Sequence, residues 1–142
     1  MSFLDRFVQA QDEHGTFDQA LGELRAGRKY GHWMWFVFPQ LDGLGRSPTA
    51  QYFAIPTLAQ AQDYLRHPVL GPRLRECCQA LLALEETDPQ RVLGGIDAVK
   101  LRSSMTLFMR ADPQDATFPA VLAKYFGATA DDATDALLGA AD

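Results

Sequence analysis

The chain of 142 residues is poor in the features that would assign a function outright. It has two cysteines, and they are neighbours, Cys77 and Cys78. Adjacent residues of a helix point about 100° apart, so a disulfide between them is strained. The Cys-x-x-Cys spacing of redox and zinc sites is missing. They read as reduced thiols of a cytoplasmic protein, one packed and one partly exposed. Three histidines, His14, His32 and His67, are too widely spaced for a metal pair. No nucleophile elbow, Walker-type phosphate loop or dinucleotide fingerprint occurs, so neither metal nor cofactor is expected. No apolar run approaches the roughly 20 residues of a membrane helix. The start, Met1-Ser2-Phe3-Leu4-Asp5-Arg6, lacks the basic and then apolar pattern of a secretory signal. Positive charge is scarce as well: 13 Lys and Arg face 18 Asp and Glu, for a net charge of -5. That disfavours generic nucleic-acid binding, for which Arg25, Arg28 and Lys29 are the nearest candidates, because phosphates need a positive field. A small anion held by a local basic patch remains compatible with it.

What is present is ordinary globular material. Hydrophobic residues make up 47% and charged ones 22%, a balance that excludes disorder. The length suits one helical domain over residues 1–142. Helical periodicity dominates. One helix is predicted from Phe3 to about Gln11. A second opens at Thr16, where Thr16-x-x-Gln19 has capping-box form, and stops at Gly27. Thr57-x-x-Gln60 opens another, running to Arg66. Leu70, Leu74, Cys77, Leu81 and Leu84 make a long apolar stripe. Asp97 is expected to cap a helix through Met109 with Ala98, Leu101, Met105 and Phe108 inward. Helices over 114–126, ended by Gly127, and over 132–138 complete an all-α bundle of six or seven helices with short loops. The run Trp33-Met34-Trp35-Phe36-Val37-Phe38, ended by Pro39, is a core strand or a short buried helix; periodicity does not separate the two.

Two stretches carry the chemistry. The first runs from Arg28 to Ser47. Arg28 and Lys29 precede His32, a titratable group beside Trp33 and Trp35. Gln40 leads into a loop with Gly43, Gly45 and Arg46, and Ser47-Pro48 reads as an N-cap with proline at the first helical position. Glycines allow close backbone approach, and a guanidinium beside a helix start suits phosphate or carboxylate. The plain alternative is a tight turn, a core histidine and core tryptophans. The second stretch is Lys100-Leu101-Arg102-Ser103-Ser104-Met105-Thr106, rich in hydroxyls and cations for a helix interior. Its plain alternative is close helix packing beside solvated cations. His67, in a last helical turn, is expected to complement the helix dipole.

These residues carry a resemblance. Ala20-Leu21-x-Glu23-Leu24-x-x-Gly27, His32-Trp33-Met34-Trp35-Phe36-Val37-Phe38-Pro39-Gln40-Leu41 and Gly43-Leu44-Gly45-x-Ser47 belong to it. So do Tyr64-Leu65-x-His67-Pro68-x-Leu70-Gly71-x-Arg73-Leu74, Lys100-Leu101-Arg102-Ser103-Ser104-Met105-Thr106-Leu107-Phe108 and Tyr125-Phe126-Gly127. Together they resemble an uncharacterised family, domain of unknown function eighteen-ten, over nearly the whole chain. The resemblance implies a small, mainly helical bacterial or fungal protein with no established activity. The calpastatin label of some members does not fit an aromatic-rich, foldable chain, since that inhibitor is disordered and polar. Gly31, Phe53 and Gln60 depart from the small hydroxyl residue, tyrosine and glutamate usual there.

The expectation drawn from all this is a pocket for a small anionic ligand, phosphate- or nucleotide-like. Arg28, Arg46 or Lys100 would neutralise it, Trp33 or Trp35 would stack on it, and His32 would carry a proton. Lys29, Gln40, Gly43, Gly45, Ser47, Arg102, Ser103 and Ser104 would line the site. The rival expectation is a non-enzymatic interaction or dimerisation module using the same aromatics.

Overall fold

The structure is a computed structural model that describes residues 2–140. The fold is all-α. Helices follow in the order α1 (Asp5–Asp12), α2 (Thr16–Ala26), α3 (Met34–Val37), α4 (Pro48–Tyr52), α5 (Leu58–Arg66) and α6 (Leu70–Ala83). Then come α7 (Pro89–Leu93), α8 (Gly95–Ala111), α9 (Thr117–Phe126) and α10 (Asp132–Ala140). Seven of these reach eight residues or more; α3, α4 and α7 are shorter than the window over which periodicity can be read. Among the described residues the only extended pairing is an isolated parallel bridge between Leu41 and Ile55.

The core is organised around α8, which packs against α5, α7, α9 and α10. From Ser103 to Phe108 every side chain of it is buried. A helix apolar on one stripe needs one neighbour, whereas one buried nearly all round must lie at the centre. The aromatic run resolves as the short helix α3. Trp33, Met34, Val37 and Phe38 point inward while Trp35 and Phe36 stay half-exposed, a helical spacing that a strand would not produce. Pro39 then disfavours continuation of the helix. The bridge hydrogen bonds, Ile55 N–H to the Gln40 carbonyl at 2.9 Å and Asp42 N–H to the Ile55 carbonyl at 2.8 Å, pin the start of the glycine loop.

Helix ends account for several polar residues without any ligand. Thr57 Oγ1 accepts from Gln60 N–H at 3.2 Å and Ser47 Oγ from Ala50 N–H at 3.1 Å, both as N-caps. Lys124 Nζ donates to the Leu81, Leu82 and Leu84 carbonyls at the end of α6, where unpaired carbonyls favour a cation.

Four local expectations are corrected. Thr16 is not an N-cap: Gly15, with φ 67°, takes that place, and the Thr16 hydroxyl donates back to the Glu13 carbonyl at 2.6 Å. Asp97 lies inside α8, because the helix starts two residues earlier at Gly95. Cys77 and Cys78 are both fully buried, since the α6 face carrying Cys78 packs against Met105, 3.7 Å from sulfur to sulfur. His67 faces the helix that follows it: its Nδ1 accepts from Val69 and Leu70 N–H, at 3.1 and 3.2 Å, so it serves the entry to α6 rather than the end of α5.

Candidate functional site

A groove forms where the glycine loop faces α8. Ile96, Val99, Lys100 and Ser103 line one wall, at the i, i+3, i+4 and i+7 spacing that puts side chains on one helix face. Gln40, Leu44 and Gly45 line the other, and Asp131 and Ala133, at the start of α10, close the remaining side. The volume is about 390 Å³. Its lining is mostly apolar, with one cation, one carboxylate, one amide and one hydroxyl.

The cation is held from below. Lys100 Nζ lies 4.9 Å from the centre of the Trp35 ring and 3.6 Å from Asp97 Oδ1. An ammonium over an indole face is attracted by the ring quadrupole. The other oxygen of Asp97 is 2.9 Å from Lys29 Nζ, which in turn lies 5.0 Å from the Trp33 ring centre. Lys29 also donates to the Gly31 carbonyl, and its side chain is only 9% exposed. Two tryptophans, two lysines and one aspartate are thus linked by consecutive contacts that reach the groove through Lys100.

The carboxylate is tied to α8. Asp131 Oδ2 accepts from Thr134 N–H at 3.0 Å and Thr134 Oγ1 at 2.6 Å, which makes Asp131 the N-cap of α10. Ser103 Oγ lies 3.1 Å from the same oxygen and 3.2 Å from the Val99 carbonyl. Thr106 Oγ1 accepts from Asp131 N–H at 2.9 Å. The hydroxyls of α8 therefore dock α10, and Ser103 does so from the groove wall.

Of the residues singled out from the sequence, Gln40, Gly45, Lys100 and Ser103 meet in this groove, with Trp35 beneath Lys100. The others are placed elsewhere. Trp33 is 1% exposed and donates through Nε1 to Glu23 at 3.0 Å. His32 and Arg28 are exposed, the guanidinium of Arg28 lying 5.5 Å from the Tyr30 ring centre. Arg46 is exposed, and its carbonyl accepts from Gln51 Nε2 at 3.0 Å. Gly43 has φ 103° and sits against Leu137. Arg102 donates to the Thr129 and Ala130 carbonyls, both at 2.9 Å, holding the segment that enters α10. Ser104 is fully buried, and its hydroxyl has no hydrogen-bond partner among the described residues.

Three carboxylates organise these contacts: Glu23 and Asp131, to which the sequence reading gives no role, and Asp97, which it takes for a helix cap. Glu23 Oε1 accepts from Tyr30 N–H at 2.6 Å, Gly31 N–H at 2.9 Å and Trp33 Nε1, and Oε2 from Gln19 Nε2 at 2.9 Å. Partial burial raises its pKa, but these donors together outweigh it and bring the carboxyl down to about 2. Glu23 thereby fixes the segment that presents Lys29 and Trp33. Asp97 had one legible signal, its position three residues before Lys100 on one helix face.

A second groove, of about 420 Å³, lies between α5 and α10 and is lined by Leu41, Pro56, Leu58, Leu137 and Leu138. None of the sequence candidates reaches it. Asp42 and Thr57 also line it, and its Arg110 and Asp135 are joined to each other by two hydrogen bonds of 3.0 Å.

The chain belongs to a family described as "Protein of unknown function (DUF1810)", whose model matches residues 2–138. It is similar to a solved structure, the conserved hypothetical protein Rv1873 from Mycobacterium tuberculosis, at 50% identity over 96% of each chain with a TM-score of 0.92. No curated protein matches. Among the described residues no helix is long and apolar enough to cross a membrane.

Proposed function

We propose that the groove between α8 and the Gln40–Gly45 loop binds a small ligand that joins an acidic group to an apolar body. The observation that carries this reading is that Gln40 and Gly45, on one wall, face Lys100 and Ser103 on the other. The volume is in the range of small-molecule sites, which are mostly apolar with a few directional polar groups. Lys100 supplies the charge, and Trp35 shields one side of it from water. Gln40 supplies directional hydrogen bonds and Ser103, its proton shared with Asp131 and Val99, an acceptor oxygen, while Leu44, Ile96, Val99 and Ala133 supply the apolar surface. Because Asp97 already shares Lys100, a single carboxylate or phosphate on an apolar group fits better than a polyphosphate. The reading is one of binding, with no proton transfer assigned to His32, which does not line the groove.

The test is a thermal-shift screen against inorganic phosphate, adenosine monophosphate, octanoate and N-acetyl-leucine, since a ligand selective for the folded form raises its melting temperature. At least one acid is expected to raise it, and Lys100→Met to remove the effect. A full shift retained in Lys100→Met, or no shift with any acid, contradicts the reading.

A second reading, an interaction or dimerisation surface, has one observation in its favour. Ile96 and Val99, on the groove rim, are 78% and 64% exposed. A self-associating species in sedimentation that Ile96→Asp dissolves is the outcome it requires.

A further inference from the structure

We infer that the ligand of this groove is a zwitterionic short peptide, its acid on Lys100 and its ammonium on Asp131. The inference rests on the groove being a binding site, and it adds the second charge and the peptide link. Lys100 and Asp131 both line the groove. The bonds that Asp131 accepts from Ser103 and Thr134 all fall on Oδ2, leaving Oδ1 as the available acceptor.

Charge balance favours an acid that also carries a positive charge over one that is anionic alone. The groove itself holds one lysine, Lys100, and one carboxylate, Asp131, while Asp97 joins Lys100 to Lys29 outside the lining. An anion drawn to Lys100 meets the field of Asp131, and a cation drawn to Asp131 meets that of Lys100. A dipolar molecule of no net charge matches both. The lining narrows the class further. Beside the charges, Leu44, Ile96 and Val99 offer apolar surface for side chains. Gln40, on the facing wall, carries an amide that both donates and accepts, as a peptide link requires.

The experiment is calorimetric titration of the full chain with leucyl-leucine, N-acetyl-leucyl-leucine and leucyl-leucine amide. Free leucyl-leucine is expected to bind about tenfold or more tightly than either blocked form, the scale of one specific charge contact. Asp131→Asn, which keeps an N-cap for α10, should bring the free dipeptide down to the affinity of the acetylated one and leave the latter within about twofold. If the acetylated form binds the wild-type chain as tightly as the free dipeptide, the zwitterion is wrong while the groove reading stands. If none of the three binds, both are wrong.

Discussion

Asp97 bridges two lysines, with its oxygens 2.9 Å from Lys29 and 3.6 Å from Lys100, yet the two contacts are not equivalent. Lys29 is 9% exposed and lies against Trp33, whereas Lys100 is 22% exposed and lines the groove. Removing Asp97 strands a buried ammonium, while removing Lys29 leaves Asp97 with a second partner. Breaking a buried pair from one side costs about 3–5 kcal/mol, and partial exposure lowers that figure here. Asp97→Asn is therefore expected to cost about 2–3 kcal/mol in chemical denaturation, and Lys29→Met clearly less. In a Lys29→Met background, Asp97→Asn should cost less than it does alone, the sign of direct coupling. Equal costs for the two single variants would refute the asymmetry.

Glu23 makes a pH prediction. Its folded-state pKa of about 2 lies below the ordinary 4.5. A depressed carboxylate contributes stability that is fully present above 4.5 and is lost as the pH falls from there towards 2. Glu23→Gln weakens the three hydrogen bonds to Oε1 by removing the charge and replaces the oxygen that accepts from Gln19 with a donor, so it should cost about 1–2 kcal/mol near neutrality. The gap between variant and wild type should narrow below pH 4.5 and be unchanged above it. Unfolding curves at a series of pH values check this, and a gap independent of pH would contradict it.

Two glycines inside helices should respond in opposite directions. A Cβ at Gly71 would lie 2.2 Å from the Leu65 carbonyl oxygen, on backbone that cannot turn aside, whereas one at Gly22 meets nothing within 4 Å. Gly71→Ala is expected to lose about 3 kcal/mol through overpacking. Gly22→Ala, on the exposed face of α2, should gain about 0.5–1 kcal/mol in helix propensity. Melting temperatures that move in the same direction would contradict the packing of α6 against the end of α5.

The sequence made the architecture readable wherever one local rule acted alone. Thr57, Ser47-Pro48, Gly27 and Gly127 mark helix ends because each acts on its own turn. The stripe Ala98, Leu101, Met105 and Phe108 was legible because a single face of period 3.6 was enough to recognise α8. Thr16 misled because Gly15, at φ 67°, can take a cap position closed to most residues. The site was only half legible. Lys100, Ser103, Gln40 and Gly45 stood out by residue type, but a tertiary pairing such as Lys29 with Asp97, or Ser103 with Asp131, leaves no trace in spacing along one chain. The exposed apolar residues of the groove, Ile96 and Val99, were invisible for a different reason. An exposed aliphatic residue is common on any surface and means something only beside its neighbours.

Chemical-shift mapping by heteronuclear NMR bears most directly on where a ligand sits. On titration with N-acetyl-leucyl-leucine, the largest amide shifts are predicted at Gln40, Gly45, Val99, Lys100, Ser103 and Asp131, and they should vanish in Lys100→Met. Shifts centred instead on Leu58, Arg110, Asp135 and Leu137, the lining of the other groove, would contradict the assignment of the site.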